Sequence, residues 1–165
     1  LGYSPLAGLA VPIGQNIKEF KGHVFCFLPL PQERTSMTGL PVHVNGYFAL
    51  SQNRRHIKWP SADQVEMHLH RDKVLMWNEK LLTEILPDVY DILIQELIHH
   101  SIQNGNQDGF IECIYAAIPK VDQAVDIWKT VLPQINRKIN SKPTVLTVNK
   151  FGEKSWIDYA EAYFT

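Results

Sequence analysis

Apolar and polar side chains alternate in two stretches near the start of this 165-residue chain, and further on the apolar positions recur every three or four residues. Val24 to Leu30 is rich in aromatic and β-branched residues and reads as a strand closed by Pro29 and Pro31, with Phe25 and Phe27 facing away from Val24, Cys26 and Leu28. Pro41 to Leu50 reads as a second strand. There Val42, Val44, Gly46 and Phe48 share one face, and His43, Asn45 and Tyr47 share the other. His43 is accordingly a half-buried strand residue before it is a ligand.

From Lys73 to Gln103, Leu75, Leu82, Ile85, Leu86, Val89, Ile92, Leu93, Leu97 and Ile98 make a wide apolar stripe that predicts a helix packed on a sheet or another helix. Pro87 lacks an N–H and crowds the preceding turn, so it predicts a kink or a division into two helices. A second helix is expected over Lys120 to Asn140. Pro119 suits its opening, Pro133 bends it, and Val121, Ala124, Val125, Trp128, Leu132, Ile135 and Ile139 lie near one face. Thr144 to Val148 and Trp156 to Tyr159 read as short strands around a turn at Asn149 to Ser155, and Phe110 to Pro119 reads as a buried strand entered through a glycine turn. The sum is an α/β fold, a mixed sheet packed against helices, with no internal repeat.

Composition narrows the function classes. At 45% hydrophobic, the chain supports one domain with its own core, placed at residues 22–165, preceded by an opening segment, residues 1–21, that continues from a preceding module. Leu1 to Ile13 is apolar and uncharged, and Trp156 to Phe164 ends without a polar tail, so the chain reads as part of something longer, with a loose opening that a neighbour covers. Sixteen basic and seventeen acidic side chains leave no global field for nucleic acid or an anionic membrane. No run approaches the roughly 18 apolar residues of a membrane span. Cys26 and Cys113 sit in apolar runs, and no N-x-S/T acceptor occurs, which fits buried free thiols in a reducing cytosol.

Candidate chemistry is sparse. His68 and His70 with His99 and His100 could supply imidazole to a divalent metal in a hydrolase, but neither H-E-x-x-H nor C-x-x-C spacing supports them. Histidines late in a helix also complement its dipole without any metal. Asn104, Asn106, Asp108 and Gly109 match the front of a calcium loop, whose twelfth position is Tyr115 where a bidentate glutamate is needed. No G-x-S-x-G, phosphate-cradling loop or dinucleotide fingerprint occurs, so the chain carries no self-contained active site and no cofactor of its own.

One cluster remains. Asn53, Arg54, Arg55, His56 and Lys58 stand together, flanked by Gln52 and Trp59. Guanidinium forks suit bidentate recognition of carboxylate or phosphate. A solvated turn in which the arginines pair with Glu33, Asp63 or Glu66 is the competing reading.

The pattern of Phe25, Phe27, Leu28, Pro29, Leu30 and Pro31, followed by Thr38 to Ser51, Asn53 to Arg55 and Trp59, resembles the segment that follows the ATPase module in sacsin repeats. Trp77 to Ile98, Tyr115 to Pro119, Trp128, Pro143 to Thr147 and Trp156 to Phe164 extend the resemblance over most of the chain. The resemblance implies a non-catalytic domain like the middle domain of heat-shock chaperone ATPases, in a cytoplasmic, mitochondria-associated co-chaperone that acts in protein folding and quality control. It implies as partners the preceding ATPase-like module of the same chain and, through other regions, the seventy-kilodalton heat-shock chaperone system and the proteasome. ATP would be bound only with the neighbouring module, to which Arg54 or Arg55 could supply a phosphate-sensing arginine.

Overall fold

A computed structural model describes residues 6–14, 20–31, 36–59, 72–125 and 127–162. It is a mixed α/β fold, in agreement with the sequence pattern. Four strands, β1 (Ala7–Ala10), β2 (Val24–Cys26), β3 (Leu28–Pro29) and β4 (His43–Gly46), form one sheet in the order β1-β4-β2-β3. β4 runs antiparallel to β1 and parallel to β2, and β2 turns back antiparallel into β3. A separate antiparallel ribbon joins β5 (Pro143–Val148) and β6 (Lys154–Asp158), as the two short stretches predict.

The alternation read at Val42 to Phe48 holds: Val42, Val44, Gly46 and Phe48 are buried, while Asn45 and Tyr47 are exposed and His43 is half-buried. The first strand departs from expectation. Phe27 adopts a left-handed backbone, φ 60°, and the chain reverses there so that Phe25 pairs with Pro29. Asn45 Oδ1 accepts the Phe27 N–H at 3.1 Å and holds the reversal. The Phe27 ring consequently lies outside, 51% exposed, and Pro29 sits on an edge strand where no donor is missed. β1 is a further difference, because residues 7–10 of the loosely drawn opening segment make the other edge of the sheet.

The long helical stretch is one continuous rod of three parts, α1 (Lys73–Lys80), a π-turn (Leu81–Ile85) and α2 (Leu86–Gln103). Asp72 caps it by accepting the Val74 N–H at 3.0 Å. The wide turn lies immediately before Pro87. Since proline cannot donate to the carbonyl four residues back, the local shift to a five-residue spacing, seen in the Leu86 N–H bonding Leu81 O, absorbs the defect without dividing the helix. Most of the predicted stripe faces inward, but Ile92 is 58% exposed, and Tyr90 and Ile94 take the buried positions instead.

Phe110 to Ala117 is helical, not a strand: α3 spans Asp108–Ala117. Its buried residues, Cys113, Ile114 and Ala117, follow helical spacing, and packing against α2 outweighs the β propensity of its isoleucines. α4 spans Ile127–Ile139, later than expected. Residues 121–123 are a turn, Val121 is exposed, and the Val125 N–H bonds Thr38 O at 3.1 Å, which ties the approach to α4 to the β4 side of the core. One glycine permits that closeness and another a close approach on the sheet side. Gly39 has φ +68° and its absent Cβ would lie 2.0 Å from the Gln123 carbonyl oxygen, while a Cβ on Gly22 would lie 2.0 Å from that of Val42.

The core is continuous, with Val24, Leu40, Val42 and Val44 against Leu82, Leu86, Tyr90 and Ile94, and Trp128, Leu132, Ile135 and Ile139 from α4. Cys113 is buried and Cys26 half-buried, and both are free thiols. Among the described residues no helix is long and apolar enough to cross a membrane.

Candidate binding site: a clamped basic hairpin

The basic cluster occupies the tip of a narrow hairpin that continues β4. Leu50 pairs with Ile57, the Ser51 N–H bonds His56 O at 2.9 Å, and the Lys58 N–H bonds Ala49 O at 2.9 Å. Ser51 organises the tip. Its Oγ donates to Asn53 Oδ1 at 2.7 Å and accepts the N–H groups of Arg55 and His56 at 3.2 and 3.3 Å. Arg54 sits at the apex with φ 56°, its N–H on Ser51 O at 2.8 Å. Asn53, Arg54, Arg55 and His56 are exposed and Lys58 is half-buried, while Ile57 drops into the core at 6% exposure.

Two consecutive residues of α1 fasten this segment. Asn78 is fully buried. Its Oδ1 accepts the Ala49 N–H at 2.8 Å, and its Nδ2 donates to Ala49 O at 2.8 Å and to Lys58 O at 2.7 Å, so one amide holds both arms of the hairpin. Trp77 Nε1 donates to Tyr47 O at 2.7 Å. The five cluster residues of the sequence reading lie along this hairpin, and Asn78 is a residue that reading misses. The only signal is an amide inside an apolar-periodic stretch, and its need for buried partners is what a helix-interior asparagine implies.

The hairpin's guanidinium, imidazole and ammonium groups are donors on a pre-shaped turn, suited to holding a carboxylate or phosphate group by paired hydrogen bonds. Glu33, Asp63 and Glu66, the acids of the competing reading, lie outside the described residues, as do His68 and His70.

His99 and His100 are both exposed with ring centroids 6.4 Å apart, and His99 shares a hydrogen bond with Gln103 at 2.8 Å. Among the described residues no group of three or more His, Cys, Asp and Glu is arranged to hold a metal. In the calcium-like stretch the cation is a side chain: Lys154 Nζ lies 3.0 Å from Asn106 O and 2.7 Å from Asp108 Oδ1, which holds the Asp108 carboxyl below its usual range. Asn106 Oδ1 is taken by Ser101 Oγ and Trp156 Nε1, each at 3.1 Å. His43 lies under Phe20, Phe25 and His23, and its Nδ1 accepts the His23 N–H at 3.0 Å. Burial, followed by the neighbouring His23, lowers the His43 pKa.

No family model matches the chain, and no solved structure matches it. Human sacsin is 31% identical to it over 174 aligned positions, an alignment that takes in all of this chain and 4% of sacsin. The stretch with the most distinctive pattern, Gly39 to Trp59, holds a glycine in the left-handed region, the β4 core face, the two residues that Asn78 clamps and the basic hairpin. With that identity running across its whole length, the chain is a sacsin-like region.

Proposed function

We propose that this sacsin-like region is a non-catalytic binding domain of a cytoplasmic protein-quality-control assembly, and that its basic hairpin docks a carboxylate or phosphate group of a neighbouring module. The observation that carries the reading is the Asn78 clamp. A surface turn with no task has no need of a buried amide bonding both its arms, whereas a recognition loop gains from a fixed tip, because ordering that is complete before binding is not charged against affinity. Arg54 at the apex and Arg55 beside it supply the planar donors.

In its finer form the partner is an ATPase-like module preceding these residues in the same chain, and the arginines sense the terminal phosphate of its nucleotide. ATP then belongs to that module, and contact with other chaperones or the proteasome belongs to other parts of the longer protein. The test uses a longer chain carrying an ATPase-like module ahead of these residues. Arg54→Ala with Arg55→Ala is expected to weaken the nucleotide-dependent association of the two modules, read as increased hydrogen exchange at their contact. Unchanged exchange with ATP bound would overturn the reading.

A further inference from the structure

A cleft of about 480 Å³ opens between the carboxyl-terminal half of α2 and the β5–β6 ribbon. Gln95, Ile98, His99 and Ile102 reach it from α2 at the spacing of one helix face. Lys154, Ser155 and Trp156 reach it from β6. Successive strand residues point to opposite faces, so three consecutive ones on its border put the β6 main chain, and with it the unpaired β6 edge, beside the cleft, which Pro143 of β5 borders as well.

The hydrogen bonding of the ribbon says which groups that edge offers. Asn149 N–H bonds Glu153 O at 3.0 Å, which sets the alternation of bonded pairs. Thr147 and Ser155 therefore bond inward, whereas Leu146 and Trp156, and Val148 and Lys154, turn their N–H and C=O groups outward. On the β5 side the outward Leu146 N–H is taken by the Tyr115 hydroxyl at 3.0 Å. On the β6 side no further strand pairs with the ribbon among the described residues.

Charge within the cleft is already neutralised. The Lys154 ammonium lies against Asp108 and the Asn106 carbonyl, and the His99 ring shares its bond with Gln103. What is left unanswered is one donor: Gln95 Nε2 is buried and has no hydrogen-bond partner. A buried amide of that kind calls for an acceptor.

We infer that the β6 edge and this cleft form a docking site for an extended, uncharged polypeptide segment. It adds as a third strand to the ribbon, places an apolar side chain against Ile98, Ile102 and Trp156, and offers a backbone carbonyl to Gln95. Strand addition supplies affinity through main-chain bonds, and the pocket selects the side chain. A charged side chain would meet no unneutralised counter-charge there. The basic hairpin shares no residue with this site, so the two stand or fall separately.

The test is a nuclear magnetic resonance titration of the chain with blocked peptides of about six residues that alternate threonine with leucine, valine, phenylalanine or tyrosine. Saturable shifts are expected at the Lys154 and Trp156 amides and the Gln95 side-chain amide. N-methylation of the peptide at the residues facing the edge should weaken binding about tenfold, the loss of one good main-chain bond. Gln95→Leu should also weaken binding while raising the melting temperature of the free chain, because it removes the stranded donor; a merely structural glutamine would not move the two in opposite directions. Ile102→Asp, at a position 53% exposed and so tolerant of the change, should place a charge in the seat and weaken binding with the fold intact. Absence of shifts at Lys154 and Trp156, equal binding of the N-methylated peptides, or unaltered affinity of the Gln95→Leu and Ile102→Asp variants would each overturn the inference.

Discussion

Asn78 and Ala49 exchange two hydrogen bonds of 2.8 Å, the Ala49 N–H to Oδ1 and Nδ2 to the Ala49 carbonyl, so a side-chain amide on α1 does what a neighbouring strand would do for the backbone. The same Nδ2 reaches Lys58 O, which is how the hairpin keeps its shape beyond the end of β4. Asn78→Ala leaves the Ala49 N–H and the Lys58 carbonyl without this partner, while Ala49 O keeps the Lys58 N–H, and should cost about 2–3 kcal/mol, since each unsatisfied group costs about 1–3 kcal/mol and the half-buried hairpin lets some rehydrate. Asn78→Asp should cost at least as much, because it keeps the acceptor, loses both donations and buries a charge. Chemical denaturation measures the loss. Hydrogen exchange at Ala49 should rise before that of the core if the clamp acts locally.

Gly39 should resist substitution for two reasons that add. Alanine there would hold φ +68° against its own Cβ, and that Cβ would strike the Gln123 carbonyl oxygen. Gly39→Ala should destabilise the fold by more than about 1 kcal/mol, the strain alone being of that size. An unchanged denaturation midpoint would show that the 121–123 turn yields freely.

How far the chain could be read before its structure depended on where the decisive contacts lie. Val42 to Phe48 was legible because burial on one sheet face writes itself as alternation, and Trp128, Leu132, Ile135 and Ile139 because one helix face writes itself as spacing. Phe110 to Ala117 is not legible as a helix because isoleucine and phenylalanine fit a strand as well, and only α2 lying alongside decides between them. The Phe27 reversal was invisible because it depends on Asn45, eighteen positions away. Of the site, the cationic residues could be named from the sequence, but the Asn78 clamp could not, since it joins residues 20 and 29 positions apart.

Tyr90 places a hydroxyl in the core, where it donates to Ala117 O at 2.9 Å near the end of α3, and burial pushes its pKa upward. Tyr90→Phe keeps the packing and strands the carbonyl. A loss of about 1–2 kcal/mol is expected, read by denaturation. A stabilised variant would mean that water replaces the hydroxyl.

His43 makes stability depend on pH. Its folded pKa lies below the unfolded value of about 6.5, so the folded chain binds fewer protons than the unfolded chain between the two values. The neutral ring's contribution is therefore fully present above about pH 6.5 and is lost as pH falls from there through the folded pKa. Protonation also sets a second donor against the His23 N–H that Nδ1 now accepts. The denaturation midpoint should fall on acidification across this window. His43→Gln should flatten that part of the profile, and an unchanged slope in the variant would assign the dependence to other groups.

The double change Arg54→Ala and Arg55→Ala tests whether the hairpin is built for its side chains or for its backbone. Ser51, Asn53 and main-chain groups shape the tip, and both arginines are exposed. Exposed charge pairs contribute roughly 0–1 kcal/mol, so the melting temperature should move little. A phosphate-rich probe such as tripolyphosphate should shift the His56 and Lys58 amide resonances of the parent chain and leave those of the double variant in place, since guanidinium forks supply the paired donors. Lysine at both positions should restore part of the effect, because charge returns without the planar fork. If the double alanine variant unfolds, the arginines are structural and the solvated-turn reading is correct. If it stays folded and still responds to tripolyphosphate as the parent does, recognition by this hairpin does not depend on them, and the proposed role of the loop fails.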